Sequence, residues 1–177
     1  MNNLRCIHFI ILGILADGPK HGYQIHKELN DPEGIGAVWK IKITNIYGLL
    51  DVLEKGEAIM PSTKIMDDIS YPPKKYFEIT EKGKDLFQSW IHGPVNHGRE
   101  IRQVFLSKLF FAHKESPQIA HQLICDQIRE CHQWVEHTSS QPVPESEFVG
   151  IVNSFRSMQI KSYINWLEEL KNKEQGV

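Results

Sequence analysis

Apolar residues recur along this chain mostly at helical spacing, with one short region that reads as strands. Ile46, Leu49, Leu50 and Leu53 fall at i, i+3, i+4 and i+7, which puts them on one face of a helix. Lys40 and Lys42 lead into that helix, Thr44 and Asn45 stand at its start, and Tyr47 lies on its first turn. Gly56 follows the last turn, where a terminating glycine is expected. The period then changes, and Ile59 to Lys64 and Lys75 to Ile79 read as two strands. The segment between them, Ile65 to Pro73, is too long for a tight turn.

Upstream, Leu4, Ile7, His8, Ile11, Leu12 and Leu15 mark a first helix. Phe9, Ile10 and Ile14 make it apolar nearly all round, so it should be covered on more than one side. Gly18-Pro19 stops it. His21-Gly22-Tyr23 opens a second, shorter helix with Tyr23, Ile25, His26 and Leu29 inward or half-inward, ended by Asp31-Pro32-Glu33-Gly34. After the strands, Thr80 is a suitable N-cap for a helix whose apolar face is Leu86, Phe87, Trp90 and Ile91.

Residues 92–98, His-Gly-Pro-Val-Asn-His-Gly, break any helix and read as a linker. The pattern therefore predicts two domains, 1–92 and 99–177, the second without strand signal. Ile101, Val104, Phe105, Leu109 and Ala112 form one helical face there, with Leu106, Phe110 and Phe111 on the others. Ser116-Pro117 starts the next helix, with proline at its first position, and Ile119, Leu123, Ile124, Ile128, Cys131, Trp134 and Val135 make its stripe. The last helix, roughly 146–172, has two stripes. Phe148, Ile151, Val152, Phe155, Met158, Tyr163, Trp166 and Leu170 form one; Val149, Ile160, Ile164 and Leu167 form the other. Neighbouring helices can cover one stripe. The second asks for another partner, and a second copy of the chain meeting Ile160, Ile164 and Leu167 is the simplest.

A trihelical unit whose third helix has a buried back and a polar, cationic leading end, followed by a β-hairpin, is the layout of a winged helix-turn-helix. The fold class expected is mainly α with a small β-hairpin wing, followed by an all-α C-terminal domain. Such a leading end suits the major groove of double-stranded DNA. Asn45 can read adenine, Thr44 can touch a thymine methyl, Lys40 and Lys42 can meet guanine or phosphate, and Tyr47 can bond a phosphate. Lys64, Lys74 and Lys75 flank the hairpin loop and supply further cations.

The net charge of −2 weighs against a DNA binder, for which a basic face is expected. Any affinity must come from local clustering, and a winged helix that binds protein instead of DNA is the alternative reading. The longest apolar run, Ile7 to Ala16, is too short to span a bilayer, and its flanks do not suit a signal peptide. Cys6, Cys125 and Cys131 form no C-x-x-C pair, which suits reduced thiols in the cytoplasm. Among the nine histidines, His121 lies at i, i+4 with Cys125, and His132 adjoins Cys131, but no compact set of ligands completes a metal site, and no cofactor is expected. Nucleophile-elbow, H-E-x-x-H, P-loop and dinucleotide motifs are absent, so no catalysis is expected. Trp90, Trp134, Tyr163 and Trp166 are candidates for an aromatic ligand pocket, against a reading as core.

Three motifs resemble one family. Ile10-Ile-Leu-Gly-Ile-Leu-Ala-Asp-Gly-Pro-Lys-His-Gly-Tyr-Gln-Ile25 looks like the opening of PadR-type transcriptional regulators. Asn45-Ile-Tyr-Gly-Leu-Leu-Asp-Val-Leu-Glu-Lys-Gly56 resembles their recognition-helix segment, and Pro73-Lys-Lys-Tyr-Phe-Glu-Ile-Thr-Glu-Lys-Gly83 their wing strand and following helix. The stretches 104–112 and 162–169 look like the longer members, which have a helical C-terminal domain. The resemblance implies a cytoplasmic homodimer on a palindromic operator, acting as a repressor, with release of DNA by a small aromatic ligand. Two departures stand out: Asp67 and Asp68 make the wing tip acidic, and Gly48 follows Tyr47 where many members have proline.

Overall fold

The computed structural model describes residues 4–63, 74–140 and 146–174. The chain divides into two compact units, Met1–Ile91 and His92–Val177.

In the first unit, α1 (Cys6–Ala16) is the central helix. Ile10, Ile11, Leu12, Ile14 and Leu15 are all but inaccessible, so its nearly continuous apolar surface is enclosed, as its sequence demanded. Next come β1 (Lys20–His21), α2 (Gly22–Leu29), a single 3-10 turn (Ile35–Ala37), α3 (Ile43–Lys55), β2 (Ile59–Pro61), β3 (Tyr76–Ile79) and α4 (Glu81–Ile91). The strands form one antiparallel sheet in the order β1-β3-β2, with Lys20 opposite Phe77 and Ile59 opposite Ile79. The hairpin expected from the sequence is thus the outer part of a three-stranded sheet. Its extra strand is the Lys20-His21 dipeptide, and the second helix begins one residue later than expected, with His21 as its N-cap.

Local rules account for the joints. Thr80 caps α4, its hydroxyl oxygen accepting from the Gly83 N–H at 3.1 Å while the hydroxyl donates to the Glu57 carbonyl at 2.7 Å. Gly83 is needed there, since a Cβ would stand 2.1 Å from the Ala58 carbonyl oxygen where α4 crosses β2. Beyond α3, Ala58 N–H donates to the Leu53 carbonyl and Glu57 N–H to that of Glu54, the paired bonds of a Schellman ending. The left-handed residue is Glu57, at φ 58°, and not the expected glycine: Gly56 sits one step earlier with an ordinary φ of −80°.

The second unit opens with a three-residue helical turn, α5 (Gly98–Glu100), and a π-helical turn (Ile101–Phe105) that runs into α6 (Leu106–Glu115). There follow α7 (Pro117–Ser139) and α8 (Glu147–Glu174). Ser116 caps α7 through the Ile119 N–H, with Pro117 at the first position as expected. Phe105, Leu109, Ala112, Leu123, Ile124, Ile128 and Cys131 make its core. Gln127, wholly buried, ties the linker segment to α7 by accepting from Val95 N–H at 2.8 Å and donating to the Val95 carbonyl at 3.1 Å.

The two stripes of the last helix do not divide as expected. Ile160 and Leu167 lie in the core of their own unit, and Ile164 packs against it together with Tyr163 and Leu170 of the other stripe. The most exposed apolar side chains are Phe148, Ile151, Phe155 and Met158, at 59–71%, and Val149 of the second stripe is exposed with them. Ile160, Ile164 and Leu167, spaced by four and three residues, form one row on the face that packs inward. Among the described residues no helix is long and apolar enough to cross a membrane.

Candidate nucleic-acid interface

Helix α3 sits on the core through Ile46, Leu49, Leu50 and Leu53, all buried. This fixes what its other face presents. Thr44, Asn45, Tyr47 and Gly48 are exposed, as are Lys40 and Lys42 in the segment leading in. Lys42 is the helix N-cap and makes no side-chain cap bond; Thr44 lies inside the first turn with its side chain outward. The first-turn N–H groups, the partial positive end of the helix, therefore open on the same side as the lysines.

The lead-in is held from α2. Asn30 brackets Ile41, its amide nitrogen donating to the Ile41 carbonyl at 3.1 Å and its amide oxygen accepting from the Ile41 N–H at 3.2 Å. His26 Nε2 bonds the same carbonyl at 3.0 Å. Two side chains, one from α2 and one from its C-cap, thus fix the backbone between Lys40 and Lys42. Tyr47 is placed in a similar way, because its ring lies over Gly22, where a Cβ would come within 3.0 Å of the ring edge. The second helix reads otherwise as expected, except that Tyr23 points outward, 63% exposed, while Ile25 and Leu29 fill the core.

A cleft beside α3 is lined by Lys40, Ile41, Thr44, Asn45 and Gly48 together with Arg5 and Trp39. Arg5 is a cation of this surface that the sequence reading missed, because it lies far off in the chain and belongs to the start of α1. The structure treats the wing lysines differently from the expectation. Lys75 is engaged within the unit: its ammonium meets both carboxylate oxygens of Glu54, at 2.7 and 2.8 Å, and lies 4.9 Å from the Phe77 ring centre. Lys74 is exposed. Lys64, Asp67 and Asp68 lie outside the described residues.

Residues 11–89 match the model of the Transcriptional regulator PadR-like family. The N-terminal unit is a PadR-like domain. The chain is also 25% identical over 181 residues to the Negative transcriptional regulator PadR of Bacillus subtilis (strain 168), covering 94% of this chain and 96% of that one. Among solved structures it is similar to Bacillus subtilis PadR in complex with operator DNA, at 25% identity and a TM-score of 0.46, covering 97% of this chain and 99% of the other. It is similar also to the same regulator in complex with p-coumaric acid, at 24% identity and a TM-score of 0.42, with 97% and 99% covered.

The aromatic residues named as ligand candidates do not assemble as one group. Trp90 belongs to the PadR-like unit, where it stacks on Phe9 with ring centres 5.2 Å apart and planes nearly parallel. In the C-terminal unit, Trp166 meets Phe105 edge to face at 6.1 Å. Trp134 and Tyr163 do come together, at a cavity of about 540 Å³ that also takes Arg99, His97, His137 and Arg156. Aromatic walls with cations and no carboxylate among the lining residues suit a flat, negatively charged molecule. Among the described residues no group of three or more His, Cys, Asp or Glu side chains is placed to hold a metal ion.

Proposed function

We propose that this chain is a transcriptional repressor of the PadR type that binds a palindromic operator as a homodimer and lets go of it when a small aromatic acid binds. The observation that carries the reading is the exposed row Lys40, Lys42, Thr44, Asn45 and Tyr47 at the start of α3 in a PadR-like domain, with its lead-in fixed by Asn30 and His26. Asn45 and Thr44 face base edges in this reading, and Lys40, Lys42, Tyr47 and Arg5 the phosphates. Lys74 and Lys64 add wing contacts to the backbone. Lys75 has its charge engaged by Glu54 and contributes less. The relative from Bacillus subtilis, named a negative regulator, supports repression over activation, and the same reading favours a cytoplasmic chain without catalysis.

The PadR-like unit, with 1–92 as its span, reads DNA, and 99–177 dimerises and senses. Dimerisation falls to the outer face of α8, where Phe148, Ile151, Phe155 and Met158 would leave an apolar patch in water if the chain were alone. The cavity with Trp134 and Tyr163 takes the ligand, its carboxylate against Arg99 or Arg156. Enrichment of duplexes from a random pool by the full-length protein tests the reading. The expected product is an inverted repeat whose half-sites lie about one helical turn apart. A pool that stays random after repeated rounds contradicts it.

A further inference from the structure

Where the end of α8 meets α6 and α7, a second group of reactive side chains gathers, apart from the DNA-reading surface and from the aromatic cavity. His121 and Cys125 lie one turn apart on α7, with His121 Nε2 3.5 Å from the Cys125 sulfur. The other nitrogen, Nδ1, faces Glu174 Oε2 at 3.9 Å. Glu174 also meets His113 of α6, Oε1 to Nε2 at 3.0 Å. Both carboxylate oxygens are withdrawn from solvent, and neither completes a hydrogen bond of good geometry among the described residues. Cys125 is partly buried.

A cysteine within reach of a histidine that is itself faced by a carboxylate is the arrangement used for thiol nucleophiles. The same helix provides the contrast. Cys131 is fully buried, and desolvation pushes its thiol up to about 11, which keeps it protonated and inert. We propose that Cys125, with His121 as base and Glu174 facing the imidazole from its other side, is a covalent capture site for small α,β-unsaturated carbonyl compounds such as quinones and enones. In the reaction His121 Nε2 takes the thiol proton, and the sulfur lone pair forms a bond to the β-carbon. The carbon–carbon π pair moves to give the enolate. The enolate carbon then takes back a proton, so no oxidant or reductant is consumed.

N-Ethylmaleimide, a member of this chemical class, serves as the probe on the full-length protein carrying Cys6→Ser. Peptide mass spectrometry follows Cys125 and Cys131 separately at neutral pH. Cys125 should react at least about threefold faster than glutathione, because His121 stands ready to take the thiol proton during attack. Cys131 should stay unmodified while the protein is folded. His121→Gln should bring Cys125 down to the glutathione rate, and Glu174→Gln should slow it in the same direction. Circular dichroism establishes that both variants are folded. A Cys125 rate no higher than that of glutathione, or one unchanged by His121→Gln, overturns the site. A rate unchanged by Glu174→Gln removes the carboxylate from the mechanism. None of these readouts depends on DNA binding, so the site and the repressor reading fail separately.

Discussion

Glu57 occupies a left-handed conformation that only glycine adopts without strain, and it does so because the chain must turn directly from α3 into β2. The residue before it, Gly56, has the freedom and does not use it. Glu57→Gly should therefore stabilise the PadR-like unit by about 1 kcal/mol, since relief of strain exceeds the loss of the exposed ion pair to Lys82. Chemical denaturation of parent and variant measures it. His8 carries a second consequence at this scale. It lies in the core of α1, its Nδ1 accepting from the Arg5 N–H while its Nε2 is buried without a partner among the described residues. Burial, above all, holds its pKa below the ordinary 6.5. As pH falls below 6.5, the unfolded chain takes up a proton that the folded one refuses. The stability present above that pH is lost beneath it. His8→Leu should flatten this acid dependence, and a variant that loses stability with acid as steeply as the parent would remove His8 from the account.

Among the elements, α8 shows where pattern stops being informative. Its two apolar stripes differ little in the sequence, and nothing in the periodicity of one helix says which side its neighbours will take. Packing on α7 decides, burying Ile160 and Leu167 and leaving Phe155 and Met158 outside. Substitutions on the two sides should separate accordingly. Leu167→Ala should cost about 2–5 kcal/mol of stability by opening a cavity. Phe155→Glu should leave folding intact and convert dimer to monomer in sedimentation. Dimers that persist in Phe155→Glu would place the interface elsewhere. Elements with a strong period, α1, α3, α4 and α7, were legible from the sequence, as were the caps Thr80 and Ser116. β1 was not, since a lysine and a histidine carry no strand signal and pair only because β3 offers its free edge. The exposed row at the start of α3 was legible because its buried face was. Arg5 and the Lys75–Glu54 pair were not, because each joins positions far apart in the chain.

For the molecule as a whole, the net charge of −2 is compatible with DNA binding only if cations collect on one surface. Arg5, Lys40 and Lys42 are exposed on the PadR-like unit, while Lys20, Lys55, Lys75, Lys82 and Lys84 pair with acids of the same unit. The account therefore predicts modest phosphate neutralisation per half-site, and dependence on a dimer to reach useful affinity. Its central claim is that the start of α3 enters the groove. The most direct test is a salt titration of operator affinity for the full-length protein, for Lys42→Ala and for Asn45→Ala, each on the selected duplex and on a random one. The parent should lose affinity steeply with salt. Lys42→Ala should lower the slope by about one for each phosphate left without its lysine. Asn45→Ala should cost about 1–3 kcal/mol on the selected duplex and leave random DNA unaffected. Parent-like affinity and slope in both variants, on both duplexes, would mean that α3 does not read DNA.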